Sequence, residues 1–167
     1  MSGRRQDCQS VKNKIVKIVS GGQTGADRAA LDWALAHSLP CGGWCPKGRK
    51  AEDGTINTKY ALKECPSESY LQRTEWNVRD SDATIVFSIA PVLVGGSEKT
   101  VEFAKRYNRP YLHLHAAEKD AAEKLHSLIA EHQVKTLNVA GPRASEEPNV
   151  GRFVTETLDR FLELSAH

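Results

Sequence analysis

The chain has 167 residues, of which 40% are apolar and 26% charged, with a formal net charge of +2. This is long enough for one domain with a core. It is too weakly charged for bulk attraction to nucleic acid or a membrane surface, and no apolar run approaches the roughly 20 residues of a membrane span. Any charged site must therefore be local.

Met1 to Asn13 is polar and lacks the apolar stretch of a secretory leader. It is read as a flexible tail before a single domain over 14–167, in a cytoplasmic protein. Cys8, Cys41, Cys45 and Cys65 then read as reduced thiols. The Cys41-x3-Cys45 spacing has no second pair to complete a zinc site, so no metal is expected there.

The first strand is predicted over Lys14–Val19, a nearly continuous apolar run of the kind covered on both faces. Ser20-Gly-Gly-Gln-Thr-Gly-Ala-Asp-Arg28 follows as a glycine-rich turn into an Ala- and Leu-rich helix reaching about His37. Thr24 or Asp27 can cap that helix. Cys41–Pro46 reads as a short second strand, Lys47–Gly54 as a charged loop and Asn57–Glu64 as a short helix.

A further helix is predicted over Gln72–Arg79, a strand over Ala83–Ser88 and a loop over Ile89–Val94. Gly95-Gly96-Ser97 then opens a helix reaching about Tyr107, with Ser97 as its N-cap. Pro110–His115 is the fourth strand, Glu118–Gln133 an amphipathic helix, Lys135–Val139 the fifth strand and Val150–Leu164 the closing helix. The alternation predicts a Rossmann-like α/β fold, a three-layer sandwich on a mainly parallel sheet of about five strands. Ligands of such sheets bind outside the carboxyl ends of the strands. Both glycine turns, the loop after Pro46 and the loop from Gly141 lie there.

Gly21-Gly22-Gln23-Thr24-Gly25-Ala26-Asp27 lacks the Lys-Ser/Thr ending of a P-loop and the spacing of the dinucleotide fingerprint. It remains a phosphate-turn signal, because glycines admit close backbone approach and a helix start presents free N–H groups. Gly95-Gly96-Ser97-Glu98-Lys99-Thr100 repeats the pattern, and two such turns focus positive potential on one crevice. Lys47, Arg49, Arg73 and Arg143 flank shaped loops on the carboxyl side and are candidate anion contacts.

The weaker candidates are carboxylates. Glu52, Asp53 and Glu98 can act as a base or activate water, and Glu52 with Asp53 can hold Mg2+ beside phosphates. Asp80-Ser81-Asp82 closes a helix against its dipole, which reads equally as turn chemistry or as a functional mark. His113 and His115 share one strand face and can flank a pocket, but no nucleophilic triad is recognisable.

Five ordered stretches carry a resemblance. They are Ser20–Asp32, Pro46–Arg49 with Glu52–Gly54, Arg73–Asp82, Gly95–Thr100 and Leu137–Ser145. Together they resemble the bacterial family labelled putative molybdenum carrier, a circularly permuted branch of the SLOG superfamily. Ser97 stands where many members carry Thr, and the acidic glycine-rich motif of the superfamily's phosphoribohydrolases is missing.

The resemblance implies a Rossmann-like domain that binds nucleotide-type ligands, with molybdenum cofactor as a second ligand class, since that cofactor is a pterin carrying a phosphate. The expectation is a binding protein for a phosphorylated small molecule. A nucleotide hydrolase and a ligand-sensing module acting through assembly are the alternatives. A homo-oligomer, dimer or tetramer, is expected by analogy with small Rossmann-like domains.

Overall fold

The computed structural model describes residues 14–166. The expected tail over 1–13 lies outside them. The strands are β1 Lys17–Val19, β2 Cys41–Gly42, β3 Trp44–Cys45, β4 Lys50–Ala51, β5 Gly54–Thr55, β6 Lys63–Glu64, β7 Ala83–Ser88, β8 Tyr111–His115 and β9 Thr136–Ala140. The helices are α1 Ala26–Ala36, α2 Tyr70–Arg79, α3 Gly95–Arg106, α4 Ala121–His132 and α5 Val150–Ser165.

The central sheet has five strands in the order β2-β1-β9-β7-β8, and every pairing in it is parallel. Numbered along the chain, these strands stand in the order 2-1-5-3-4. Moving the last strand to the front converts this to 3-2-1-4-5, the order of a doubly wound nucleotide-binding sheet. The fold is Rossmann-like, with its first strand carried to the C-terminal end of the chain.

Each strand sorts its side chains by period two. Ile18, Ile85, Phe87, Leu137 and Val139 enter the main core with Ala30, Leu125, Ile129, Val154 and Leu158 of α1, α4 and α5. The opposite face carries Thr84 and Asn138, register partners joined by Asn138 Nδ2 donating to Thr84 Oγ1 at 3.1 Å. Helices α2 and α3 pack together through Val78, Phe103 and Ala104. One face of the sheet is therefore oily and the other partly polar.

Five local expectations change. The single strand over Cys41–Pro46 is broken by Gly43 (φ 124°), where a Cβ would stand 2.4 Å from the Ser20 carbonyl oxygen. Its halves join different sheets, β2 beside β1 and β3 beside β6. The loop over Lys47–Gly54 contains an antiparallel hairpin, β4 with β5.

The helix expected over Asn57–Glu64 does not form. Arg49 donates to the carbonyls of Ile56, Asn57, Tyr60 and Leu62 at 2.9–3.1 Å, which turns those acceptors toward one guanidinium and away from a helical ladder. Finally, α3 begins two residues before the expected cap. Val94 is its N-cap residue, without a side-chain cap, and Ser97 is buried in the first turn. Helix α1 likewise starts after Gly25 with no side-chain cap from Thr24 or Asp27.

Asp80-Ser81-Asp82 is turn chemistry. Asp80 pairs with Arg79 and accepts from Trp44 Nε1 at 2.8 Å, and Asp82 accepts from the Lys135 and Thr136 amides. Cys41, Cys45 and Cys65 are free thiols whose pKa values burial pushes up. No helix among the described residues is long and apolar enough to cross a membrane.

Candidate functional site

Strands β9 and β7 are sheet neighbours, yet their following helices leave to opposite faces. α5 packs on α1 and α4, whereas α3 packs on α2. That divergence opens a crevice at the carboxyl ends of the strands. A cavity of about 370 Å3 fills it, bounded by the ends of β1 and β9 and by the first turns of α1, α2 and α3.

Three helix N-termini converge on it. Asp27 lies in the first turn of α1, Ser69 to Leu71 start α2, and Gly96 and Ser97 start α3. The α3 end is the open one. A Cβ at Gly95 or Gly96 would meet no atom within 4 Å, and no side chain caps the helix. Its first N–H groups and dipole are available to an anion.

The first glycine turn behaves differently. A Cβ at Gly21 would stand 2.1 Å from Arg73 Nη1, and one at Gly25 (φ 83°) 2.5 Å from the Pro142 carbonyl oxygen. Gly22 faces Ile56 and Leu62, away from the cavity. These glycines make room for an arginine, a loop and an apolar cluster. The glycines of this turn serve packing between segments.

Arg73 is placed by that packing and is only 8% exposed. Its Nε donates to the Tyr70 carbonyl at 3.1 Å, and its Nη1 donates to the Gly21 carbonyl at 2.9 Å and to Asp27 Oδ2 at 3.3 Å. Arg73 lines the cavity, and its Nη2 makes no hydrogen bond among the described residues. Burial raises the Asp27 pKa, and the charge of Arg73 opposes that rise.

Arg143 and Lys99 also line the cavity, nearer its mouth. Arg143 pairs with Glu146 at 3.3 Å and Lys99 with Glu102 at 3.0 Å. Tyr70 ties the cations together, its ring centroid lying 5.3 Å from the Arg73 guanidinium and 5.6 Å from that of Arg143.

Of the residues singled out from sequence, Gly21, Gln23, Asp27, Arg73, Gly96, Ser97, Thr100 and Arg143 line this one cavity. Gly22, Thr24, Gly25, Lys47, Arg49 and Gly95 do not. Lys47 is exposed, and the Arg49 guanidinium is spent on four carbonyls.

The carboxylate candidates also lie elsewhere. Glu52 accepts from the Thr24 hydroxyl and from Ser145 Oγ at 2.6 Å, and these bonds hold its pKa below the usual value. Asp53 is held by Arg28, whose hydrogen bond lowers its pKa too. Glu98 is exposed on α3. His113 and His115 stand 5.9 Å apart, with His113 Nε2 2.6 Å from Ser88 Oγ, and neither lines the cavity.

Sequence reasoning did not single out Ser69, Tyr70, Asn138 or Glu146, and it named Lys99 only as part of the second glycine turn; all five line the cavity. The signal for Ser69 was available. It stands before Tyr70 with Gln72 three residues on, and it caps α2 by accepting from the Leu71 amide at 3.2 Å.

Residues 18–162 match the circularly permutated YpsA SLOG family. The chain belongs to that family. The strand order is that of a permuted sheet, with β9 in the central place that the opening strand takes in the 3-2-1-4-5 order.

A solved structure of another protein matches closely. It is the crystal structure of the "Putative molybdenum carrier protein" from Syntrophus aciditrophicus SB, 47% identical over 89% of this chain and 95% of that one, with a TM-score of 0.87. A structure of (E)-4-hydroxy-3-methyl-but-2-enyl diphosphate reductase matches more weakly, at 10% identity over 92% of this chain and 62% of that one, with a TM-score of 0.40. No curated protein matches the sequence.

Within this permutated SLOG chain, the loop after β9 and the turn after β1 are fastened together. Thr24 Oγ1 accepts from the Ala144 amide at 3.1 Å, and Glu52 bridges Thr24 to Ser145. Segments about 120 residues apart in the chain are thus joined beside the cavity.

Proposed function

We propose that this SLOG-family chain is a binding protein for a phosphorylated small molecule, either a nucleotide derivative or the molybdenum cofactor. The observation that carries the reading is the uncapped N-terminus of α3 opening onto the same cavity as Arg73, Lys99 and Arg143. Backbone N–H groups, a helix dipole and fixed guanidinium donors are what a phosphate needs. The cavity volume of about 370 Å3 suits a mononucleotide-sized ligand.

The molybdenum cofactor meets the same requirements, because its phosphate asks for the same donors and its pterin is of nucleobase size. Among the described residues no group of three or more His, Cys, Asp or Glu side chains could hold a metal ion. Metal, on this reading, arrives as part of the cargo. The name of the 47% identical neighbour supports a carrier role for this chain.

A second reading, hydrolysis of a nucleotide, is favoured by the buried Asp27 carboxylate facing the cavity with a raised pKa. Binding is preferred because Asp27 is already engaged by Arg73 and the Gln23 amide. Mass spectrometry of material copurifying with the native chain tests the main reading. A phosphorylated small molecule released intact on denaturation supports it. Steady release of free base or phosphate from added AMP, lost in Asp27→Asn, supports the hydrolase instead.

A further inference from the structure

This inference rests on the binding function proposed above and concerns the end of the ligand away from its phosphate. Gln23 lines the cavity and is 5% exposed. Its Oε1 accepts from the Thr24 amide at 3.0 Å and from the Glu52 amide at 2.9 Å. An oxygen taking two amide protons fixes the carboxamide's orientation, so the other end is the NH2 donor. That Nε2 is buried and has no hydrogen-bond partner among the described residues. Buried polar groups left unpaired are uncommon and ask for an explanation.

A buried acceptor stands beside it. Asp27, also 5% exposed, lines the same cavity, and its Oδ2 accepts from the Gln23 backbone amide at 3.3 Å. A phosphate is disfavoured against this carboxylate, which Arg73 Nη1 also holds at 3.3 Å, and on the binding reading above its place is the α3 end of the cavity lined by Arg73, Lys99 and Arg143. The polarity of the cavity thus sets a direction, with the phosphate outward and a neutral edge inward.

We propose that Gln23 and Asp27 form a subsite for a lactam edge, the ring carbonyl and adjacent N–H shared by guanine and pterins. The Gln23 NH2 group donates to the ring carbonyl. Asp27 accepts from the ring N–H and the neighbouring amine. The donation requires the buried NH2 group to come to the cavity wall.

Adenine is the wrong shape electronically. Its amine would face the Gln23 NH2 group, and its ring-nitrogen lone pair would face the Asp27 carboxylate. A site built around hydrogen bonds rejects an analogue that leaves them unmade or opposed.

Calorimetric titration of the full chain with GMP, AMP, ribose 5-phosphate and inorganic phosphate tests this. GMP is expected to bind at least tenfold more tightly than AMP. Gln23→Glu keeps an acceptor for the Thr24 and Glu52 amides but removes the donor, and it should bring the GMP-to-AMP ratio towards one. Equal affinity for GMP and AMP in the wild type overturns the proposal, whether or not the variant folds. So does a folded Gln23→Glu protein whose ratio is unchanged. Binding of ribose 5-phosphate without base discrimination sinks the lactam subsite alone, whereas failure of all four probes sinks the binding function and this inference with it.

Discussion

Arg49 and Arg73 show how two arginines that look alike in sequence serve different ends. Arg49 gathers four carbonyls of the 56–62 segment. Arg73 lines the cavity, spends two of its nitrogens on protein acceptors and leaves the third unbonded among the described residues. Arg49→Leu should therefore destabilise the fold by about 2 kcal/mol or more, since charged hydrogen bonds are lost and carbonyls are left unpaired. Lys47→Ala, at an exposed position, should stay within about 0.5 kcal/mol. Urea denaturation followed by tryptophan fluorescence measures both.

His113 carries a pH dependence at the same scale. Burial lowers its pKa below 6.5, the proximity of His115 adds to this, and Glu118 and Glu147 oppose it. A base with a depressed folded-state pKa contributes stability above its unfolded pKa, and that contribution is lost as pH falls through the folded value. Stability should therefore decline from pH 7.5 towards pH 5.5, and His113→Gln should flatten that part of the profile. A variant with an unchanged slope would show that His113 is not the group responsible.

At the scale of elements, the two glycine turns separate by what surrounds them. Gly25 sits at positive φ under the Pro142 carbonyl, so Gly25→Ala should cost about 2 kcal/mol or more. Gly96 sits in open space at the start of α3, so Gly96→Val should change the melting temperature little while placing bulk where an anion would approach.

The elements themselves were readable where the signal is local. The unbroken apolar run Ala83–Ser88 became β7, buried along its whole length, and the periodic pattern of the last helix became α5. Two-residue strands such as β3 and β6 carry no periodicity, and they exist because Trp44 and Lys63 meet across the fold. The helix misread over Asn57–Glu64 failed for the same reason, its carbonyls having been claimed by a distant arginine. The cavity was half legible. The glycine turns and Arg73 announced it, but Asn138 is a strand residue whose place in it depends on strand order.

At the scale of the whole molecule, the permuted order places the last strand in the middle of the sheet, with its loop fastened to the first turn. The carboxyl-end crevice of a SLOG-family sheet is thereby closed by chain segments about 120 residues apart, as in the Ser20 hydroxyl donating to the Val139 carbonyl at a separation of 119 residues. Ligand binding should be coupled to global stability, since a ligand held between these segments favours the folded state by mass action. Its affinity should fall with added salt, because Lys99 and Arg143 lie at the cavity's exposed edge.

The most direct test of phosphate binding at the α3 end is an equilibrium titration of the wild-type chain and Gly96→Val with ribose 5-phosphate at low ionic strength. The expected result is measurable binding by the wild type and at least a tenfold loss in the variant, with both proteins melting at similar temperatures. No binding by the wild type, or equal binding by a folded Gly96→Val, would contradict it.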